Sequence, residues 1–252
     1  CLQCYHVSTD HKNVQCSVNP RFNREKRVPL ILPVTGHPKH LVIVGGGPAG
    51  ITCALTASRR GHQVTLLEKE PVLTGKLNIA CHGEHKADLR RFRDYLLTQL
   101  RKSSVTVHTG VLADTDVVRD LKPDALVIAV GATPSRIPLP GVDGDNCIQI
   151  SEFLQSPDTS LQHYIIIGGG SVGCETALDL AEKGKDVSII EMADCLASAS
   201  NDLYRLALSE HFARYDNLHT YLNSACQSID ADGVNVLTNG ASTHISGDKV
   251  LL

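Results

Sequence analysis

Two stretches of the chain set apolar, small and polar residues in the same order. LVIVGGGPAGITCALTASRRGHQVTLLEKE begins at Leu41 and YIIIGGGSVGCETALDLAEKGKDVSIIEMA at Tyr164. Each opens with a short β-branched run, which predicts a buried strand. A Gly-x-Gly-x-x-Gly follows, then a helix of small residues stopped by Gly61 or Gly184, a second apolar strand and a glutamate. Gly45 and Gly168, Gly50 and Gly173, Gly61 and Gly184, and Glu68 and Glu191 each stand 123 positions apart. The pattern therefore predicts one βαβ unit used twice.

Elsewhere the pattern is weaker. LRRFRDYLLTQLRK, residues 89 to 102, repeats leucines and Phe92 at helical spacing with arginines on the opposite side, and SVTVHTG and DALVIAV read as strands. The Pro/Gly-rich run from Gly131 through Gly144 reads as a crossover between two domains. NDLYRLALSEHFARY, 201 to 215, predicts a helix, LHTYLNSACQSID and GVNVLTNG predict strands, and the final KVLL reads as an edge strand. The expected division is a cysteine-rich loop and linker at 1–39 and two α/β, Rossmann-like domains at 40–150 and 151–252.

The glycine spacing has a chemical reason. The first glycine permits the tight strand-to-helix turn, the second lets a pyrophosphate approach the backbone, and the third lets helix and strand pack closely. Phosphate then rests on unpaired N–H groups at a helix N-terminus, where the dipole favours negative charge. Glu68 and Glu191 stand 23 positions after their first glycines, where an acid meets a ribose hydroxyl. Pro48 suits the first helical position because it has no N–H to leave unpaired. Glu175, two residues beyond the last glycine, reads as a first-turn acid that must point aside from the phosphate, toward the nicotinamide, a neighbouring domain or solvent. Glu191 would repel the extra phosphate of NADP, and the EMADC run offers no arginine to bind it, so NADH is expected over NADPH.

Composition removes several alternatives. Charged residues make up 20% of the chain and the net charge is −3, which gives no electrostatic case for nucleic acid. The longest apolar runs, ALVIAV and HYIII, fall short of the roughly 20 residues of a membrane span, and no leader peptide is read. Nine cysteines, with Cys53, Cys174 and Cys195 in apolar segments, argue against a disulfide framework and for a reducing cytoplasm. Cys1, Cys4 and Cys16 lie in a loop-like opening stretch. Three thiolates leave a tetrahedral metal site or a cluster one ligand short, and His6 or His11 would complete a zinc site.

With these pieces in order, the chain resembles the C-terminal half of iron–sulfur flavoproteins typified by 2,4-dienoyl-CoA reductase, enoate reductases and, more distantly, trimethylamine dehydrogenase. The resemblance rests on the Cys-x-x-Cys start, CSVNP, VGGGPAG, KLNIA, GATP and GGGSVGCE, and spans nearly the whole chain. It implies two dinucleotide domains of disulfide-reductase type. Gly45, Gly47, Pro48, Ala49, Gly50, Glu68 and Lys69 would contact FAD, with Lys76, Leu77, Gly131 and Ala132 nearby. Gly168, Gly170, Ser171, Val172, Gly173 and Glu191 would hold NADH, with Glu175 on the nicotinamide side. Cys1, Cys4 and Cys16 would be ligands of a 4Fe-4S cluster passing electrons to FMN in an N-terminal barrel, where a small enoate or dienoyl substrate is reduced. The family's third cysteine falls where this chain has Val7 and Ser8, and its glycine pair before the KLN-like stretch is here Thr74-Gly75, with Lys76 in place of glutamine.

On that resemblance the chain is expected to be a fragment, without the barrel or the segment that closes over the flavin. No residue is assigned to substrate chemistry, and a homo-oligomer stays open. Related disulfide reductases keep a Cys-x-x-x-x-Cys where this chain has Lys76 and Cys81, so a thiol relay is excluded for want of a partner. The readings that compete with the flavoprotein are a non-catalytic ADP-binding module and a stand-alone NADH:acceptor reductase without a cluster.

Overall fold

The computed structural model describes residues 4, 8, 13–83, 86–135 and 137–252, and Cys1, His6, Val7 and His11 lie outside them. The chain forms two units, Cys1–Thr133 and Pro134–Leu252. The stretch from 134 to 150 therefore belongs with the second unit, where β5 (Cys147–Ile148) joins its sheet.

In the first unit β1 (His40–Val44), β2 (Gln63–Glu68), β3 (Thr106–Thr109) and β4 (Ala125–Ile128) form a parallel sheet in the order β3-β2-β1-β4. β1 pairs with β2 from His40↔Gln63 to Val44↔Leu67 and with β4 from Leu41↔Ala125 to Val44↔Ile128. Helix α1 (Pro48–Arg59) makes the crossover that the parallel pair β1 and β2 requires. Its Ile51, Ala54 and Leu55 bury against Ile43 and Leu66, joined by Leu96 and Leu100 of α3 (Ala87–Arg101). Short helices α2 (Leu77–Ala80) and α4 (Thr115–Asp120) complete the unit, the latter capped by Asp114 accepting from the amides of Asp116 and Val117.

The second unit repeats the plan and adds to it. Its parallel sheet runs β5-β12-β6-β7-β8, with β6 (His163–Ile167), β7 (Asp186–Ile190), β8 (Leu218–Tyr221) and β12 (Lys249–Leu251). Alternate residues of HYIII bury on opposite faces. Tyr164 and Ile166 pack with α5 (Ile150–Phe153) and α6 (Ser171–Glu182), while Ile165 packs under an antiparallel sheet of β9 (Ser224–Asp230), β10 (Gly233–Thr238) and β11 (Ala241–Ser246). A strand covered on both faces has no polar positions, so its apolar run is continuous. Helix α7 (Asp202–Phe212) begins at Asn201, whose Oδ1 accepts from the Tyr204 amide at 2.8 Å.

Two readings of strand pattern need correction. KVLL is no edge: β12 lies inside the sheet, with Val250 opposite both Cys147 and Ile165. LHTYLNSACQSID is two strands in two sheets, because Asn223 adopts φ 50° and turns the chain between β8 and β9.

Candidate dinucleotide sites

Both glycine loops are built alike. Gly45 and Gly168, each at φ 108°, turn the chain out of β1 and β6. The third glycines meet backbone directly: a Cβ on Gly50 would lie 1.8 Å from the Gly45 carbonyl oxygen, and one on Gly173 would lie 2.1 Å from that of Gly168. No side chain fits there.

The second glycines differ. Gly47 (φ −75°, ψ −178°) and Gly170 (φ −69°, ψ 175°) hold backbone angles open to any residue, and a Cβ on either would meet nothing within 4 Å. Neither conformation nor packing asks for glycine, so the open space over the helix end is the feature these residues preserve. Gly47 and Gly170 are the N-caps of α1 and α6, and no side chain caps either helix. The first-turn amides of Ala49 and Gly50, and of Ser171, Val172 and Gly173, have no partner within their helices. An open cradle of this kind, lined with amides at a helix N-terminus, fits a dinucleotide pyrophosphate.

The middle glycine of each loop is clamped. The Gly46 amide donates to Glu68 Oε2 and the Gly169 amide to Glu191 Oε2, both at 2.6 Å. The other carboxylate oxygens accept from the amides of Glu70 at 2.9 Å and Ala193 at 2.7 Å. Glu68 is only 7% exposed, and these charge-assisted bonds make its burial tolerable. The first partner of each glutamate is thus its own loop backbone, and each oxygen keeps a further lone pair.

On the carbonyl side, Thr74 and Ala197 donate their amides to Gly46 O and Gly169 O, both at 2.7 Å. Both adopt left-handed backbone, φ 76° and 49°. Leu73 and Leu196 close over the glycines, where an added Cβ would come within 2.5 Å of either side chain. In β-branched Thr74 this conformation costs about 1–3 kcal/mol. The fully buried residue is held by its hydroxyl, which has Leu73 O at 2.6 Å and Asn78 Oδ1 at 2.7 Å as acceptors, while Asn78 Nδ2 donates to Leu73 O at 2.8 Å.

Sequence reasoning missed Gly46, Gly169, Leu73, Leu196, Thr74 and Ala197. All preserve the 123-residue offset, and matching the leucines across it would have found the lid. Thr74 and Ala197 share only their backbone role, which side-chain identity does not reveal.

The remaining expected residues sit variously. Lys69 is exposed and pairs with Glu70 at 3.6 Å, Lys76 is exposed at the start of α2, and Leu77 belongs to the first unit's core. Gly131 and Ala132 are exposed in the turn after β4, and Val172 is 57% exposed on α6. Glu175 lies just past the first turn of α6, half-buried, its Oε1 accepting from the Tyr204 hydroxyl at 3.2 Å. The carboxylate is thereby drawn aside toward α7. Cys4 and Cys16 are half-buried free thiols, and Cys1 lies outside the described residues. Cys174 is buried with its thiol pushed up to about 12, chiefly by desolvation, which makes it inert packing. Among the described residues no helix is long and apolar enough to cross a membrane.

The family model described as pyridine nucleotide-disulphide oxidoreductase matches residues 39–252. The chain belongs to that family. Its members are FAD-dependent NAD(P)H oxidoreductases, and their two-domain fold is the one seen here. An NADH oxidase of Thermoanaerobacter brockii is 36% identical over 80% of this chain and 31% of its own length. A bilirubin reductase of Mediterraneibacter gnavus is 33% identical over 100% of this chain and 40% of its own. A solved 2-naphthoyl-CoA reductase superposes with a TM-score of 0.90 at 27% identity, covering 99% of this chain and 38% of that one. The chain thus spans less than half the length of these relatives, and it corresponds to the C-terminal half of old-yellow-enzyme-like flavoproteins.

Proposed function

We propose that the first unit holds FAD and the second NADH, and that the pair serves as the electron-input module of a longer reductase. The observation that carries this reading is the duplicated, clamped glycine loop with its open second glycine. When bound, FAD supplies a ring that takes hydride from NADH and releases electrons one at a time, and the chain's own residues bind and orient the two cofactors. In the first unit Ala49 and Gly50 offer amides to the FAD pyrophosphate, and Glu68 faces the ribose. In the second, Ser171, Val172 and Gly173 do so for NADH, and Glu191 excludes a ribose phosphate. Met192 beside Glu191 is 76% exposed, and residues 192–196 contain no cation, which supports NADH over NADPH.

The onward carrier in this reading is a 4Fe-4S cluster for which Cys1, Cys4 and Cys16 would supply three ligands and another residue the fourth, leading to FMN in a barrel domain that reduces an enoate- or dienoyl-type substrate. Cinnamate reductase of Clostridium sporogenes, 30% identical over 95% of this chain, lends weight to that substrate class. Reconstitution tests the first step. Purified protein incubated with FAD and passed through a desalting column is expected to retain flavin stoichiometrically, and colourless protein would count against the reading. Iron and acid-labile sulfide in anaerobically prepared protein test the cluster, and zinc in their place would contradict it.

A further inference from the structure

The 123-residue offset pairs Thr65 of β2 with Ser188 of β7, and His40 of β1 with His163 of β6. In the first unit these two side chains satisfy each other, His40 Nε2 lying 3.0 Å from Thr65 Oγ1. In the second they do not. Ser188 is only 9% exposed, its neighbours Val187 and Ile189 pack toward the helices, and among the described residues its hydroxyl has no protein partner. A hydroxyl buried in that way is costly, so it marks a place where a polar group belongs. Ser188 lines a trough of about 400 Å³. The antiparallel sheet packs on Ile165 and Ile190, while Asp186, Ser188 and His219 on the same sheet face line the trough, with Thr243 and His244 of β11 opposite. His163 and Asp186 open their strands, whereas the glycine loop follows the far end of β6.

The lining decides the chemistry. His219 Nε2 lies 3.2 Å from Asp186 Oδ1, and His244 Nε2 lies 3.5 Å from Asp232 Oδ1. Each carboxylate favours the tautomer with its proton on Nε2, which leaves Nδ1 an acceptor, and Asp186 keeps a second oxygen. The hydroxyls of Ser188, Tyr221 and Thr243 give or take a proton as a ligand requires. No lysine or arginine is among the described residues of the lining, so an anion would meet Asp186 with no fixed cation to hold it. Among the described residues no group of His, Cys, Asp and Glu could hold a metal ion. A neutral molecule rich in hydroxyls matches donors and acceptors together, and the Tyr221 ring, 36% exposed, offers an apolar surface to its C–H face. We propose that this trough is a binding site for a small neutral polyol of up to monosaccharide size, held through the Ser188 hydroxyl and separate from the dinucleotide cradle. Its volume is in the range of small-molecule sites.

The experiment is an amide NMR titration of the intact chain with glycerol, D-ribose and D-glucose, and separately with sulfate and with methylammonium at matched ionic strength. At least one of the three polyols is expected to shift the amides of Ser188, His219 and Thr243 saturably, with a Kd of about 1–10 mM, as suits a ligand of so few atoms. Sulfate and methylammonium are expected to leave those amides without a saturable shift. Ser188→Ala is expected to weaken the polyol about fivefold or more while the melting temperature stays level or rises, because removing an unpartnered buried hydroxyl removes its burial cost. Three polyols that fail to saturate would overturn the site and leave only water in the trough. Saturation by sulfate or methylammonium in their place would overturn the ligand class, and undiminished polyol affinity in Ser188→Ala would overturn the role of Ser188. A clear fall in the melting temperature of Ser188→Ala would show that the hydroxyl has a protein partner, which overturns the proposal even where the variant is too unstable to titrate.

Discussion

Glu191 accepts a hydrogen bond from the Gly169 amide at 2.6 Å, the bond that Glu68 makes with Gly46 in the other unit. Each acid therefore shapes its own glycine loop through a backbone bond. Replacing Glu191 with Ala leaves that amide without its charged partner, a loss of about 1.5–3 kcal/mol. NADH affinity is expected to fall at least tenfold with FAD retention unchanged, and Glu68→Ala is expected to show the reverse. Titration of both variants with both cofactors checks it.

The glycines separate fold from ligand. Gly170→Ala places a methyl in open space at ordinary angles, so the melting temperature is expected to stay near wild type, a change within about 0.5 kcal/mol, while NADH binding weakens. Gly173→Ala drives a methyl to 2.1 Å from the Gly168 carbonyl oxygen and is expected to cost about 1–3 kcal/mol of stability or more. Thermal melts with and without NADH distinguish the two. Undiminished NADH affinity in Gly170→Ala would mean that the open space is not the phosphate site.

How far the sequence carries the site follows from the same residues. Gly45, Gly50 and Glu68 repeat at 123 residues because side-chain identity, or its absence, matters at each. The clamp by Thr74 and Ala197 uses backbone amides, so a hydroxyl and a methyl serve equally and the pattern falls silent. Pairing is non-local in the same way: Lys249–Leu251 lies between strands about a hundred residues distant in sequence, and nothing in four apolar residues specifies two partners. Asn223 broke one predicted strand into two through its backbone angle.

Thr74 is held in left-handed backbone by Asn78. Asn78→Ala removes the side chain that bridges the buried Thr74 hydroxyl and the Leu73 carbonyl, leaving that carbonyl as the hydroxyl's acceptor at 2.6 Å, and we expect a loss of about 0.5–1.5 kcal/mol in chemical denaturation. FAD retention should fall with it, because Thr74 carries the Gly46 clamp.

Asp248 gives a pH-dependent test. Its Oδ2 accepts from the amides of His163 at 2.8 Å and Gln162 at 3.2 Å, and the His163 bond first among these holds its carboxyl below the ordinary 3.8. A depressed folded pKa contributes stability that is present above the unfolded value and is lost as pH falls through the folded one. Wild type should therefore lose stability through that acidic window more steeply than Asp248→Asn. Because the side chain is largely solvated, the difference is expected to be small. Melting temperatures across the acidic range measure it, and parallel curves would contradict it.

We propose that two cradles of one design hold FAD in the first unit and NADH in the second. Anaerobic titration of the FAD-loaded chain, followed by visible absorbance, tests it most directly. Stoichiometric NADH is expected to bleach the flavin while NADPH acts far more weakly. Flavin that stays fully oxidised under excess NADH would contradict the account.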